Sequence, residues 1–333
     1  MASEYPDDSL AGTGEFAVID RLVAGRSQPG LVLLGPGDDA AVVASVDGRT
    51  VVCTDMLVEN RHFRLDWSSP HDVGRKAIAQ NAADIEAMGG RATAFVVAFG
   101  APGDTATTRA VELADGMWHE AGLIGAGIVG GDVVQAPQWV ISVAALGDLG
   151  GLDAVRRGGA KLGDTVAVTG ELGRSAAGFA LWNTAVGGSD DVGGFDDVGG
   201  FRQRHLVPEP PYGQGVVAAR AGASSMIDVS DGLLADVGHI ASTSGVCIDL
   251  SAAGLRGDVD ALVGAAAAVG SDPWQWVLGG GEDHALVATF SAAPPTGWRP
   301  IGTVVDAAAL GGGPPRVTVD GAAWGGNSGW LSF

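Results

Sequence analysis

The chain has 333 residues, 46% of them hydrophobic, enough for one large or two ordinary domains with their own cores. Its formal net charge of −20 excludes a duplex nucleic-acid surface as partner, so any phosphate recognition has to be local, through metal ions, backbone amides and a few arginines. A membrane span is excluded too, because the longest apolar stretches, such as Thr93–Phe99 and Ala261–Val269, are too short to cross a bilayer.

In chain order, runs of β-branched and aliphatic residues predict strands at Leu31–Leu34, Thr50–Thr54, Thr93–Phe99, Val140–Leu146 and Thr165–Thr169. Further strands are predicted at Met226–Val229, Val246–Leu250, Ala285–Phe290 and Arg316–Val319. The clearest helix is Pro70–Met88, with Ser69 as N-cap, Asp72 at the capping-box position and Gly89-Gly90 at the end. Its apolar stripe runs Val73, Ala77, Ile78, Asn81, Ile85, Met88, and Asn81 and Asp84 fall on or beside it. Such a polar pair reads either as a hydrogen-bonded helix contact or as part of a site. A second helix is predicted from Ser230 through Leu233, Leu234, Val237 and Ile240, with Ser230 as N-cap and Asp231 in the first turn.

Glycine-rich sequence at 147–163 marks a boundary between domains at 1–150 and 151–333. The tandem unit Asp-Asp-Val-Gly-Gly-Phe at 190–195 and 196–201 reads as a flexible acidic surface insertion over 187–201, since two short copies cannot stack into a solenoid. Cys53 and Cys247 lie in strand-like runs and read as reduced core residues. No two histidines stand at helical ligand spacing, which argues against zinc. With a polar, acidic N-terminus unlike a signal peptide, a soluble cytoplasmic protein is expected.

The chemistry sits in the aspartates. Asp38, Asp39, Asp55, Asp132, Asp228, Asp231 and Asp283 stand at the edges of short glycine-rich turns, mostly beside strand-like runs. A single Asp-Gly pair is an ordinary turn former. Five such turns point instead to carboxylates at strand ends, where glycine lets a ligand approach the backbone. Acid clusters repel phosphate unless a hard cation lies between, and Mg²⁺ is the usual one with nucleotides. Gly35-x-Gly37 lacks the third glycine of a dinucleotide fingerprint, and neither a P-loop nor a protein-kinase catalytic loop occurs.

Taken together, Gly35-Pro36-Gly37-Asp38-Asp39-Ala40-Ala41, Thr54-Asp55, Asn60-Arg61-His62-Phe63, Asn81-Ala82-Ala83-Asp84, Gly130-Gly131-Asp132, Ile227-Asp228-Val229-Ser230-Asp231-Gly232-Leu233 and Gly279-Gly280-Gly281-Glu282-Asp283 resemble the thiamine-monophosphate kinase family, in its motif order and over nearly the whole chain. That family belongs to the aminoimidazole ribonucleotide synthetase superfamily. The resemblance implies a two-domain α/β (α+β) fold of that type. Its N-terminal domain would bind metal and ATP and form a homodimer through its sheet, and a C-terminal α/β domain would follow.

The implied activity is Mg²⁺-dependent, in-line transfer of the ATP γ-phosphate to thiamine phosphate, giving thiamine diphosphate and ADP, with several Mg²⁺ ions and ATP as co-substrate. By resemblance, Asp39, Thr54, Asp55, Asp84, Asp132 and Asp228 match metal positions, and Asp231 a more peripheral one. Gly131, Asp132, Arg157 and Ser230 match positions around ATP; His62, Glu282 and Trp330 match positions around thiamine phosphate. Asp39, Asp55, Asp84, Asp132, Asp228 and Arg157 are the implied catalytic set. Arg157 offers a planar fork to phosphate oxygens, and an aromatic face plus a carboxylate can cradle the thiazolium cation.

Two departures stand out: Cys53 precedes Thr54 where the family commonly has serine, and Val134 stands where it often has a hydroxyl. The alternatives are another ATP-dependent synthetase of the superfamily and a non-catalytic acidic metal-binding protein. A selenophosphate synthetase would carry a reactive cysteine or selenocysteine near the N-terminus, and no cysteine precedes Cys53.

Overall fold

The computed structural model describes residue 6 and residues 8–34, 41–184, 200–310, 312–314 and 316–329, which fall into two units: Met1–Ile85 with Arg91–Gly151, and Glu86–Gly90 with Leu152–Phe333.

In the first unit, α1 (Leu10–Thr13), α2 (Glu15–Val23), β1 (Val32–Leu34) and β2 (Val42–Val43) precede β3 (Val51–Val58), α3 (Pro70–Ala87), β4 (Arg91–Ala101), α4 (Thr107–Ile124), β5 (Gly127–Gln135) and β6 (Val140–Asp148). The expected capping box starts α3. Ser69 N donates to Asp72 Oδ2 at 3.2 Å, and Asp72 N donates back to Ser69 Oγ at 3.1 Å. The helix then buries Val73, Ala77, Ile78 and Ile85, the predicted stripe. Backbones of α3 and α4 meet at two glycines, since a Cβ on Gly74 would lie 2.1 Å from Leu113 O and one on Gly116 2.0 Å from His71 O.

The principal sheet of this unit has the order β3-β6-β4-β5, antiparallel except for β4 with β5. Side chains alternate between its faces. One face carries buried Leu57, Val97, Phe99, Ile141, Val143 and Ala145, and Ile85 of α3 lies over it against Gly147. The other presents Val52, Met56, Val96 and Val134, between 38% and 64% exposed. β5 falls where the sequence reads as glycine turns, because Gly130 and Gly131 interrupt the strand pattern. A Cβ on Gly131 would sit 2.0 Å from Val97 O, so the close approach of β4 requires that glycine.

The second unit runs β7 (Thr165–Thr169), α5 (Arg174–Thr184), α6 (Phe201–Leu206), α7 (Gln214–Arg220), β8 (Ser225–Asp228), α8 (Leu233–Ser244), β9 (Cys247–Leu250), α9 (Ala252–Val269), α10 (Pro273–Gly279), β10 (Leu286–Phe290), β11 (Arg299–Val305) and β12 (Val317–Val319). Its sheet has the order β12-β9-β11-β7-β10-β8. Val166, Val168, Ile227 and Val287 face a core built with α5, α8, α9 and α10, while Ala167, Met226, Leu286 and Ala288 face a second core with Ala218 of α7 and Trp298. Every residue of β10 is buried.

One strand lies outside the predicted set and one expectation is corrected here. β11 carries Pro300 at a register shift between Pro300 and Gly302, an irregularity that admits a proline. α8 starts at Leu233 with Gly232 as N-cap, so Ser230 is not the cap. The acidic insertion lies outside the described residues except for Gly200 and Phe201. Both cysteines are free thiols, Cys247 buried and Cys53 half-buried.

Candidate functional site

Alternation along β3 separates Thr54 from Asp55. Thr54 is exposed on the open face, with Oγ1 donating to Val143 O at 2.8 Å. Asp55 is half-buried on the helix-covered face, and its backbone N donates to Asn81 Oδ1 at 3.0 Å. Asn81, 0% exposed, spends its amide on Ala77 O at 2.9 Å, so its side chain ties the β3 edge to α3. Asp84, half-buried, follows three residues later on the same helix flank. Asn81 thereby ties the β3 backbone at Asp55 to the helix that carries Asp84.

Asp132 is not part of that group. The cross-strand row Asp55–Val143–Val97–Gly131 places Asp55 on the face of Gly131, so Asp132 points the other way. Three strand spacings, about 14 Å, also lie between them. Asp132 is exposed on the open face. His62, half-buried, accepts from Val58 N through Nδ1 at 3.0 Å, and its carbonyl accepts from the buried Lys76 ammonium at 3.0 Å.

In the second unit the acids follow β8, the edge strand. Asp228 ends it, 3% exposed, and its Oδ2 lies 3.1 Å from Nδ1 of His284, which is 6% exposed. The glycine-rich strap 279–284 returns alongside: Glu282 N donates to Ser230 O at 2.7 Å and His284 N to Val229 O at 2.9 Å. A Cβ on Gly281 would stand 2.5 Å from Ser230 O, so the strap can lie this close only without a side chain there. Ser230 and Glu282 are thus neighbours through the backbone.

Glu282, at φ 64, lies 3.5 Å from Nδ1 of His205 and lines a crevice of about 190 Å³ with Glu171, Arg174, Arg204, Glu209 and Asp283. Arg157 is exposed, and its guanidinium makes no ion pair among the described residues; the adjacent Arg156 carbonyl accepts from Met226 N of β8 at 3.1 Å. Asp39 and Trp330 lie outside the described residues.

Three further buried groups stand beside these acids, and of them the sequence marked only Asp283, by its glycine-rich turn. Asp236 accepts from Asp231 N at 3.1 Å and Gly232 N at 3.0 Å, closing the turn into α8. Burial, and then the charge of Asp228, pushes its carboxyl up to about 7. Asp283 accepts from Gly173 N at 2.5 Å and Ser175 N at 2.9 Å, capping α5 from outside the helix, yet burial still lifts it to about 7. His284 is the third. Asp236 looks like an ordinary first-turn acid, and His284 like a histidine after an acid; the turn at Asp231-Gly232 gives the first its partners and the returning strap brings the second to Asp228.

The donors are hard oxygens, which suits Mg²⁺. Among the described residues no three His, Cys, Asp or Glu side chains form a metal-holding group. Magnesium commonly takes one or two carboxylates and completes its shell with water and substrate phosphate. The separate carboxylates of Asp55, Asp84, Asp132 and Asp228 fit that habit.

Known proteins agree with this architecture. Residues 37–149 match the family described as AIR synthase related protein, N-terminal domain. The thiamine-monophosphate kinase of Mycobacterium tuberculosis (strain H37Rv) is 64% identical over 333 residues, 100% of this chain and 95% of that protein. That of Corynebacterium glutamicum is 42% identical, covering 99% of this chain and 98% of the relative. Among solved structures, thiamine-monophosphate kinase from Stenotrophomonas maltophilia K279a superposes with a TM-score of 0.75 at 30% identity, covering 92% of this chain and 95% of that one. A structure described as AaThiL complexed with AMPPCP and TMP gives 0.73 at 29% identity, covering 97% of this chain and 98% of that one. Hydrogenase maturation protein HypE, at 18% identity and TM-score 0.65, shares the fold alone. With relatives this similar along its whole length, the chain belongs to the thiamine-monophosphate kinase family.

Proposed function

We propose that this protein transfers the γ-phosphate of ATP to thiamine phosphate, producing thiamine diphosphate and ADP in the cytoplasm. The observation that carries the reading is the 64% identity, over the full chain, to a thiamine-monophosphate kinase. It is supported by the likeness to a structure complexed with AMPPCP, an ATP analogue, and TMP.

The acceptor phosphate oxygen is already anionic at neutral pH, so the transfer needs alignment rather than a strong general base. Asp39, Thr54, Asp55, Asp84, Asp132, Asp228 and Asp231 are proposed as magnesium ligands. When bound, several Mg²⁺ ions would neutralise the charge of two phosphate chains held in line. Arg157, with no ion-pair partner among the described residues, is proposed to reach phosphate oxygens, with Gly131, Asp132 and Ser230 around the nucleotide. His62, Glu282 and Trp330 are proposed for thiamine phosphate. The acidic crevice at Glu282 suits a cationic thiazolium.

A homodimer through the open face of β3-β6-β4-β5 belongs to the same reading. Val52, Met56, Val96 and Val134 make that face too apolar to leave to water, and Asp132 stands among them.

The test is incubation with ATP, Mg²⁺ and either thiamine phosphate or thiamine, followed by product identification. Thiamine phosphate should yield one thiamine diphosphate per ADP, with thiamine used far more poorly. Phosphate release without a diphosphate product would sink the reading. Asp55→Asn and Asp84→Asn should each lower kcat on the order of 100-fold with the fold kept. Near-normal turnover at low Mg²⁺ would remove that residue from the metal shell.

A further inference from the structure

We infer that His284 is a positioning residue for Asp228, holding that carboxylate so that one oxygen remains available to a divalent cation. The inference rests on the reading of Asp228 as a magnesium ligand.

Both side chains are almost completely buried, and Nδ1 of His284 lies 3.1 Å from Oδ2 of Asp228. With an ionised carboxylate as acceptor, the shared proton sits on Nδ1. Asp228 makes no other side-chain hydrogen bond among the described residues, so His284 is the donor that sets how the carboxyl group is turned, with the Asp236 carboxyl close enough to act on it through charge. A buried carboxylate without that donor would rotate and lose its fixed direction.

The backbone holds the pair in register. His284 N donates to Val229 O at 2.9 Å and Val229 N to Ala285 O at 2.8 Å, so the residues bearing the ring and the carboxylate sit on one continuous ladder. On either side of the ring, Asp283 is pinned to the start of α5 and β10 runs on as a fully buried strand. His284 itself adopts φ 52, a conformation few non-glycine residues hold without surrounding constraint. A buried ring is set at an unfavoured backbone angle, with its nitrogen on the one acidic side chain that ends β8. Core filling alone would need none of this.

The experiment measures Mn²⁺ binding by electron paramagnetic resonance with a non-hydrolysable ATP analogue present, alongside the Mg²⁺ dependence of turnover. His284→Leu should weaken Mn²⁺ about tenfold and raise half-saturating Mg²⁺ by a similar factor. The KM for thiamine phosphate should stay unchanged. His284→Asn places an amide donor near the Nδ1 position, and asparagine tolerates positive φ, so it should recover most of the binding. His284→Gln, whose donor lies one carbon farther out, should behave like leucine. If His284→Leu does not fold, equal Mn²⁺ binding by the Asn and Gln variants overturns the inference. If Asp228→Asn weakens Mn²⁺ but His284→Leu does not, His284 has no positioning role. If Asp228→Asn itself leaves binding unchanged, the ligand assignment has failed and the inference falls with it.

Discussion

The two principal sheets solve the problem of apolar faces differently. In the first unit β6 alternates half-buried with buried residues along its whole length, and β3 alternates half-buried with exposed residues over most of its own. In the second, β8 and β10 are buried at every position, because separate cores cover both faces. A sheet covered on both sides is complete within its own unit. The other leaves valines and a methionine exposed on one side, the face proposed above for the homodimer. The same residue type therefore stabilises the fold in one sheet and, in the proposed homodimer, would serve association in the other.

The sharpest way to break this comparison is to make the same substitution in each sheet. Val287→Asp buries an unpaired charge at a fully covered position and should cost at least about 4 kcal/mol, enough to abolish soluble expression. Val96→Asp on the open face should leave the melting temperature of the chain nearly unchanged but weaken association by about 2–4 kcal/mol. Sedimentation should then show the 33.3 kDa chain in place of a species of about twice that mass. A wild type that sediments as a monomer would remove the association half of the comparison.

A third substitution probes the charge buried in the second unit. Asp283 caps α5 with two acceptor contacts, and Asp283→Asn should cost about 1–2 kcal/mol at pH 5. Burial raises the folded-state pKa from 3.8 to about 7. The contribution of a group raised in this way is full below its unfolded pKa and is lost as pH rises through the folded one. Urea unfolding at pH 5 and pH 8 should therefore show the gap between wild type and variant narrowing as pH rises; a gap that widens would contradict the burial argument. The smallest effect belongs to the first unit, where Ser69→Ala breaks the capping box of α3 and should cost about 1 kcal/mol in thermal unfolding.

Much of the fold was legible because short-range chemistry wrote it. The capping box of α3 and its stripe from Val73 to Ile85 came directly from spacing, and β7 runs over the expected residues, Thr165–Thr169. β5 and β11 escaped for opposite reasons. Glycines in β5 that look like turn formers admit the neighbouring strand, and the proline in β11 sits at an irregularity that tolerates it. Ser230 fitted an N-cap by residue type, yet the chain turns at Gly232 and Asp236 accepts the turn amides instead.

By itself the sequence determined the α3 helix, most of the strands, the acids at the glycine-rich turns and the family, because periodicity, capping and motif order are properties of neighbours along the chain. The partners of those acids were decided by tertiary structure alone. Asp55 meets Asn81 across 26 residues, and Asp228 meets His284 across 56. Asp55 and Asp132 look alike in the sequence, yet they stand on opposite faces of one sheet, because strand order and register, not residue type, set where a side chain points.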